Sequence, residues 1–184
     1  MAVESTLVPL GTAAPPFALP DLKGRVLALG DVTAAVLVVA FVCNHCPYVK
    51  HVEDELGRLA AELTPQGAAF VAICTNDASA YPDDDAAHLR QQAQRAGWDF
   101  PYLLDESQEV ARAYGAVCTP DFFVYGPDRR LGYRGAMDGS TPGNGVAVDG
   151  SLLRDAVTRV LAGDPVPEPH RPSLGCSIKW RETP

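Results

Sequence analysis

The longest unbroken apolar run, Ala35 to Val42 (AVLVVAFV), has no polar position on either face. Such a strand belongs in the middle of a sheet that is covered on both sides. Beyond it the hydrophobic period lengthens. Val49, Val52, Leu56, Leu59, Ala60 and Leu63 recur three or four apart, with Lys50, Glu53, Asp54 and Arg58 on the opposite face. That spacing predicts an amphipathic helix ending before Gly67. Ala69 to Cys74 (AFVAIC) is a second buried strand. Asp83 to Ala96 is a weaker helix with acids at its start and Gly97 after it. Tyr102 to Leu104 is a short strand, and Asp105 with Gln108 forms a capping box for a helix through Tyr114, stopped by Gly115. Asp121 to Tyr125 and Leu131 to Gly135 flank the turn Gly126-Pro127-Asp128-Arg129 and predict a hairpin. A last helix over 151–162 carries Leu152, Leu153, Ala156, Val157, Val160 and Leu161 on one stripe.

The order β-α-β-α-β-α-β-β-α predicts an α/β protein: a three-layer sandwich around a central mixed sheet, parallel early and antiparallel late. Prolines gather at the ends, at Pro9, Pro15, Pro16 and Pro20, then at Pro165, Pro167, Pro169, Pro172 and Pro184. They read as extended arms, so a single domain over 1–184 is expected, with a core of about 13–162 and a Pro-rich C-terminal tail, 163–184.

With 23 acidic and 15 basic residues the net charge is −8, which argues against nucleic acid as a partner. No apolar run is long enough to cross a bilayer, and residues 1–20 lack the basic and apolar regions of a secretory signal. A cytoplasmic setting and no membrane partner are therefore expected. Five cysteines are too few, and odd in number, for a disulfide-stapled fold; redox chemistry or metal binding becomes the question.

The chemistry concentrates in Cys43-Asn44-His45-Cys46, where the central strand gives way to the first helix. Two cysteines at this spacing can close a small disulfide ring. A helix N-terminus supplies partial positive charge and unpaired N–H groups, both of which favour a thiolate. Cys43 is thus expected to have a depressed pKa and to be the exposed attacker, with Cys46 as the inner, resolving thiol. His45 can add positive charge beside the thiolate, making the disulfide more oxidising than thioredoxin's roughly −270 mV. No cofactor is needed, because two sulfurs carry the electrons.

A strand, C-x-x-C, a helix and, much later, Cys118-Thr119-Pro120 before DFFVY resemble the thioredoxin pattern. The resemblance implies that Pro120 is the family's cis-proline and that the Thr119 backbone pairs with a bound substrate strand. APPFALPD at 14–21, FVCNHCPYVK at 41–50, Asn76-Asp77, YPDD at 81–84, FPYLLDESQEVARAYGA at 100–116 and GCSIKW at 175–180 are similar to a narrower group. These are the redoxins, related to alkyl hydroperoxide reductase and thiol-specific antioxidant proteins, in a peroxiredoxin-like subgroup. The resemblance implies a thioredoxin fold with terminal extensions and a thiol–disulfide oxidoreductase. It would act on a disulfide-containing protein or small thiol and be reset by an external reductant such as thioredoxin or glutathione.

Two departures qualify it. The acid that thioredoxins bury six residues before the first cysteine is Leu37 here, so Asp77 is the candidate base for Cys46. Counted back from Cys43, the Pro and Thr that shape a peroxiredoxin's peroxide pocket are Val36 and Ala40. Thiol peroxidase, with Cys43 oxidised to sulfenic acid, is therefore the runner-up. A metal-binding module using Cys43, Cys46 and His45, Cys118 or Cys176 is the third reading. Cys118 and Cys176 are either auxiliary thiols or packing residues, and Cys74 is a core residue. Asp83-Asp84-Asp85 is expected to cap a helix, and 136–148 to be a flap or a plain loop. Oligomeric state is not legible.

Overall fold

The computed structural model describes residues 2–181. Its strands are β1 (Ala2–Glu4), β2 (Ala18–Pro20), β3 (Val26–Ala28), β4 (Val36–Phe41), β5 (Ala68–Cys74), β6 (Tyr102–Leu104), β7 (Cys118–Thr119), β8 (Asp121–Tyr125), β9 (Leu131–Gly135) and β10 (Leu174–Ser177). Its helices are α1 (Pro47–Leu63), α2 (Ala86–Arg95), α3 (Glu109–Tyr114) and α4 (Ser151–Ala162).

The central sheet runs β6-β5-β4-β8-β9, with β4, β5 and β6 parallel and β8 and β9 antiparallel to their neighbours. All six residues of β4 are buried, as its two-faced apolar run demands. Val36, Val38 and Ala40 pack with α1, α4 and Leu89 of α2, whereas Leu37, Val39 and Phe41 pack with α3 and with Phe17 and Leu19 from the N-terminal arm. The alternation of one strand thus builds both outer layers, and this is the expected thioredoxin-like α/β sandwich.

The arms depart from expectation. They are extended, but they form strands: β2 and β3 make an antiparallel hairpin, and β10 lies between β1 and β7 in a second sheet of order β1-β10-β7. β10 pairs Cys176 with Thr119 and Ser177 with Cys118. Gly175 makes that approach feasible, since a Cβ there would collide with the Thr119 carbonyl oxygen.

Two local expectations are corrected. α2 starts at Ala86, not Asp83, because Asp85 is the residue whose carboxylate accepts from the Ala87 and His88 N–H groups. The capping box at Asp105 and Gln108 does not form. Asp105 accepts from Ala111 N at 2.9 Å, while the Gln108 amide donates to the carbonyls of Thr75 and Lys179.

Candidate active site

The four-residue motif is a loop between β4 and α1. Cys46 is the N-cap of α1, with extended backbone angles of −70° and 123°, and Pro47 is the first helical residue, where no N–H is needed. The helix therefore begins at the second cysteine. Across the sulfurs lies the Thr119–Pro120 peptide, which is cis. Cys43 Sγ is 3.3 Å from Thr119 Oγ1, and Cys46 Sγ is 3.2 Å from the Thr119 carbonyl oxygen.

The two sulfurs titrate together: their mutual interaction and the first turn of α1 favour one thiolate in the pair, while burial and the Asp84 carboxylate oppose a second. The contacts place the proton. Cys46 Sγ faces the Thr119 carbonyl oxygen, which can only accept, so Cys46 is the thiol; Cys43 Sγ meets the Thr119 hydroxyl, which can donate to a thiolate. Neither sulfur is an exposed attacker, since both residues are 0% exposed.

Asp84, read from the chain as part of a capping cluster, is the carboxylate that shapes the loop. It is 1% exposed. Its Oδ1 accepts from the N–H groups of Asn44 at 2.8 Å and His45 at 3.1 Å. Its Oδ2 lies 2.6 Å from His45 Nδ1 and accepts from Asn76 Nδ2 at 2.8 Å. The bond to Asp84 is the main reason the His45 pKa is raised, and the same pairing holds the Asp84 pKa below its usual value against the cost of burial. Tyr81 stacks on the His45 ring at 5.4 Å. A second shell fixes the other side: Gln92 Nε2 donates to the Cys43 carbonyl at 3.1 Å, and Arg95 bridges Glu53 to Asn44 Oδ1.

Asp77 is not placed to serve Cys46. Its carboxylate accepts from Ser79 Oγ at 2.7 Å and from Arg181 Nε at 3.4 Å. Cys118 is fully buried, with its thiol toward the Pro120 carbonyl at 3.8 Å, and burial pushes its pKa up. Cys176, from the tail, is brought against Cys46 and is half-buried. The strand edge of Thr119, expected to receive a substrate strand, is occupied by β10 of the same chain.

Ligand atoms of Cys43, His45 and Asp84 lie within 4.8 Å of one another and so form a candidate metal set. Both Asp84 oxygens, however, already accept two contacts each, which a metal would have to displace. A small cavity of about 30 Å³ lined by Tyr48, His51, Pro120, Met137 and Leu174 adjoins the cis peptide. The roomier one, about 420 Å³, lies by Arg90, Trp98 and Phe100 and is lined by no cysteine.

Residues 10–134 match the model of the AhpC/TSA family. A thiol-disulfide oxidoreductase, ResA, from Geobacillus thermodenitrificans (strain NG80-2) is 26% identical over 121 residues, spanning 66% of this chain and 66% of the relative. An uncharacterised conserved protein from Geobacillus kaustophilus, known from a crystal structure, is 50% identical and superposes with a TM-score of 0.97 over 100% of this chain and 98% of its own. A hypothetical protein from Sinorhizobium meliloti 1021 is 44% identical, with a TM-score of 0.96 over 98% and 99% of the two chains. At 21% identity, a putative thiol:disulfide interchange protein DsbE from Chlorobium tepidum shares the fold at a TM-score of 0.68, covering 84% of this chain and 99% of its own.

Proposed function

The chain belongs to the AhpC/TSA family, and from that premise we propose that it is a thiol–disulfide oxidoreductase working through Cys43 and Cys46. The observation that carries the reading is the pair itself: two sulfurs at the start of a helix, at 3.3 and 3.2 Å from the Thr119 hydroxyl and carbonyl oxygens, against a cis-proline loop. Similarity to a thiol-disulfide oxidoreductase supports it.

In this reading the Cys43 thiolate attacks one sulfur of an incoming disulfide once β10 lifts from Thr119. The substrate bond breaks, its other sulfur leaves as a thiolate that takes a proton, and Cys43 is held in a mixed disulfide. Cys46 gives up its proton and attacks the Cys43 sulfur, releasing the second substrate sulfur, which takes a proton, and leaving a Cys43–Cys46 disulfide. Two electrons have passed from protein to substrate. Two equivalents of an external thiol, of the thioredoxin or glutathione type, return them. His45 and Asp84 position the loop. Thr119 and Pro120 bound the sulfurs from the opposite side.

The peroxidase alternative has less support. Val36 and Ala40 are buried in β4 and carry no hydroxyl for a peroxide. A cytoplasmic setting belongs to the same proposal, because an odd, sparse set of cysteines suits a reducing compartment. The deciding assay is reduction of insulin or glutathione disulfide at neutral pH, with peroxide consumption run alongside. Cys43→Ser abolishes disulfide reduction. Full turnover in that variant would refute the mechanism.

A further inference from the structure

The proposed dithiol has an access problem. Cys43 and Cys46 are 0% exposed. The strand edge beside them is sealed by β10. That sealing strand carries a thiol that meets both the site and solvent: Cys176 is half-buried and packs against the cluster that holds Cys43 and Cys46.

Three details of β10 hold this thiol in place. Its register sets Cys176 opposite Thr119, the residue whose carbonyl and hydroxyl face the two buried sulfurs. Gly175 permits the close approach. On the outer side β1 pairs Ala2 with Cys176 and Val3 with Gly175, so the strand is clamped from both edges. Beyond it, Lys179 N–H donates to Asn76 Oδ1 at 2.8 Å, and Asn76 in turn donates to Asp84. The tail is thus tied to the carboxylate that shapes the cysteine loop.

We infer that Cys176 is a third redox thiol, which draws the disulfide from Cys43–Cys46 onto a Cys46–Cys176 bond and presents it at the surface to an external thiol reductant. This rests on the reading of Cys43–Cys46 as a working dithiol. In the first step Cys176, deprotonated, attacks the Cys46 sulfur. The Cys43–Cys46 bond breaks, the Cys46–Cys176 bond forms, and Cys43 leaves and takes up the proton that Cys176 lost; no electrons are gained or lost overall. In the second step an external thiolate attacks the half-exposed Cys176 sulfur and expels Cys46. A second external thiol then attacks the outer sulfur of that mixed disulfide and frees Cys176. The balance is one protein disulfide and two external thiols giving two protein thiols and one external disulfide. This route delivers electrons while β10 stays docked.

The test uses the full chain and glutathione. In Cys43→Ser oxidised with glutathione disulfide, peptide mapping after thiol blocking should find Cys46 joined to Cys176. In the oxidised wild type, quenched-flow alkylation should give a reduction rate at least about tenfold higher than in Cys176→Ser. Gly175→Ala, which keeps the thiol but pushes β10 off Thr119, should be slowed in the same way. Equal rates in wild type and Cys176→Ser overturn the inference, as does the absence of the Cys46–Cys176 peptide. Should Cys176→Ser fail to fold, the mapping in Cys43→Ser decides alone. If wild type treated with glutathione disulfide forms neither a Cys43–Cys46 nor a Cys46–Cys176 disulfide, the underlying reading falls as well, so the two failures are distinct.

Discussion

Asp121 follows the cis-proline and is 1% exposed. Neither carboxyl oxygen has a hydrogen-bond partner among the described residues. Burial outweighs the nearby Ser173 and Ser5 hydroxyls and the Phe122 N–H, and pushes its pKa up to about 8. In the unfolded chain the same group titrates near 3.8. The folded protein therefore holds a proton that the unfolded chain releases. Its contribution to stability is complete below about pH 4, is lost as the pH rises through this window, and changes no further above about pH 8. One proton is worth about 1.4 kcal/mol per pH unit. At pH 7, some three units above the unfolded value, the accumulated loss is about 4 kcal/mol. Asp121→Asn removes the titration and offers amide hydrogens to the two serines. The assay is urea unfolding of wild type and variant at half-unit steps from pH 4.5 to 8.5. The difference, variant minus wild type, should climb with a slope approaching 1.4 kcal/mol per pH unit. A flat difference would mean that Asp121 is ionised in the native state, and the account of this buried acid would be wrong.

Two further outcomes follow from the same geometry. Asp84→Asn puts an amide donor where Asp84 faces His45 and Asn76, so the His45 pKa should drop back toward its ordinary value in an NMR titration, with stability lowered by about 1–3 kcal/mol. In wild type the stability contributed by raising His45 is present below about pH 6.5 and lost as the pH rises through its folded value; a His45 titration unchanged by the substitution would break the link. Tyr114→Phe removes a buried hydroxyl that has no partner among the described residues while leaving the ring edge-on to Phe41, Phe123 and Tyr125, so thermal denaturation should show no loss and up to about 1 kcal/mol of gain. A loss of more than about 1 kcal/mol would show that the hydroxyl is bonded.

The central strand, the helix after it and the helix over 151–162 were legible in the chain because each obeys one period over many residues and buries what that period predicts. The C-x-x-C motif was legible for the same reason: it sits where the period changes. What escaped depends on long-range closure. β1 and β10 are three and four residues long, each beginning on an exposed residue, and nothing local distinguishes them from loop. The three consecutive aspartates look alike in sequence, yet Asp83 offers its backbone carbonyl to Asn44, Asp84 its carboxylate to the cysteine loop, and Asp85 caps α2. A partner for His45 was the missing clue, and the joint presence of YPDD and Asn76-Asp77 among the blocks that carry the family resemblance was its only trace.

The strand that seals the sulfurs follows, in the order of synthesis, both of the strands it must slot between. Until residue 177 has emerged, a nascent chain that has already folded its central sheet leaves the Thr119 edge open beside its sulfurs. Covering them is thus a step that comes after the sheet is made, and chains cut short of Leu174 would display a bare sulfur to the chaperones and thiols around them.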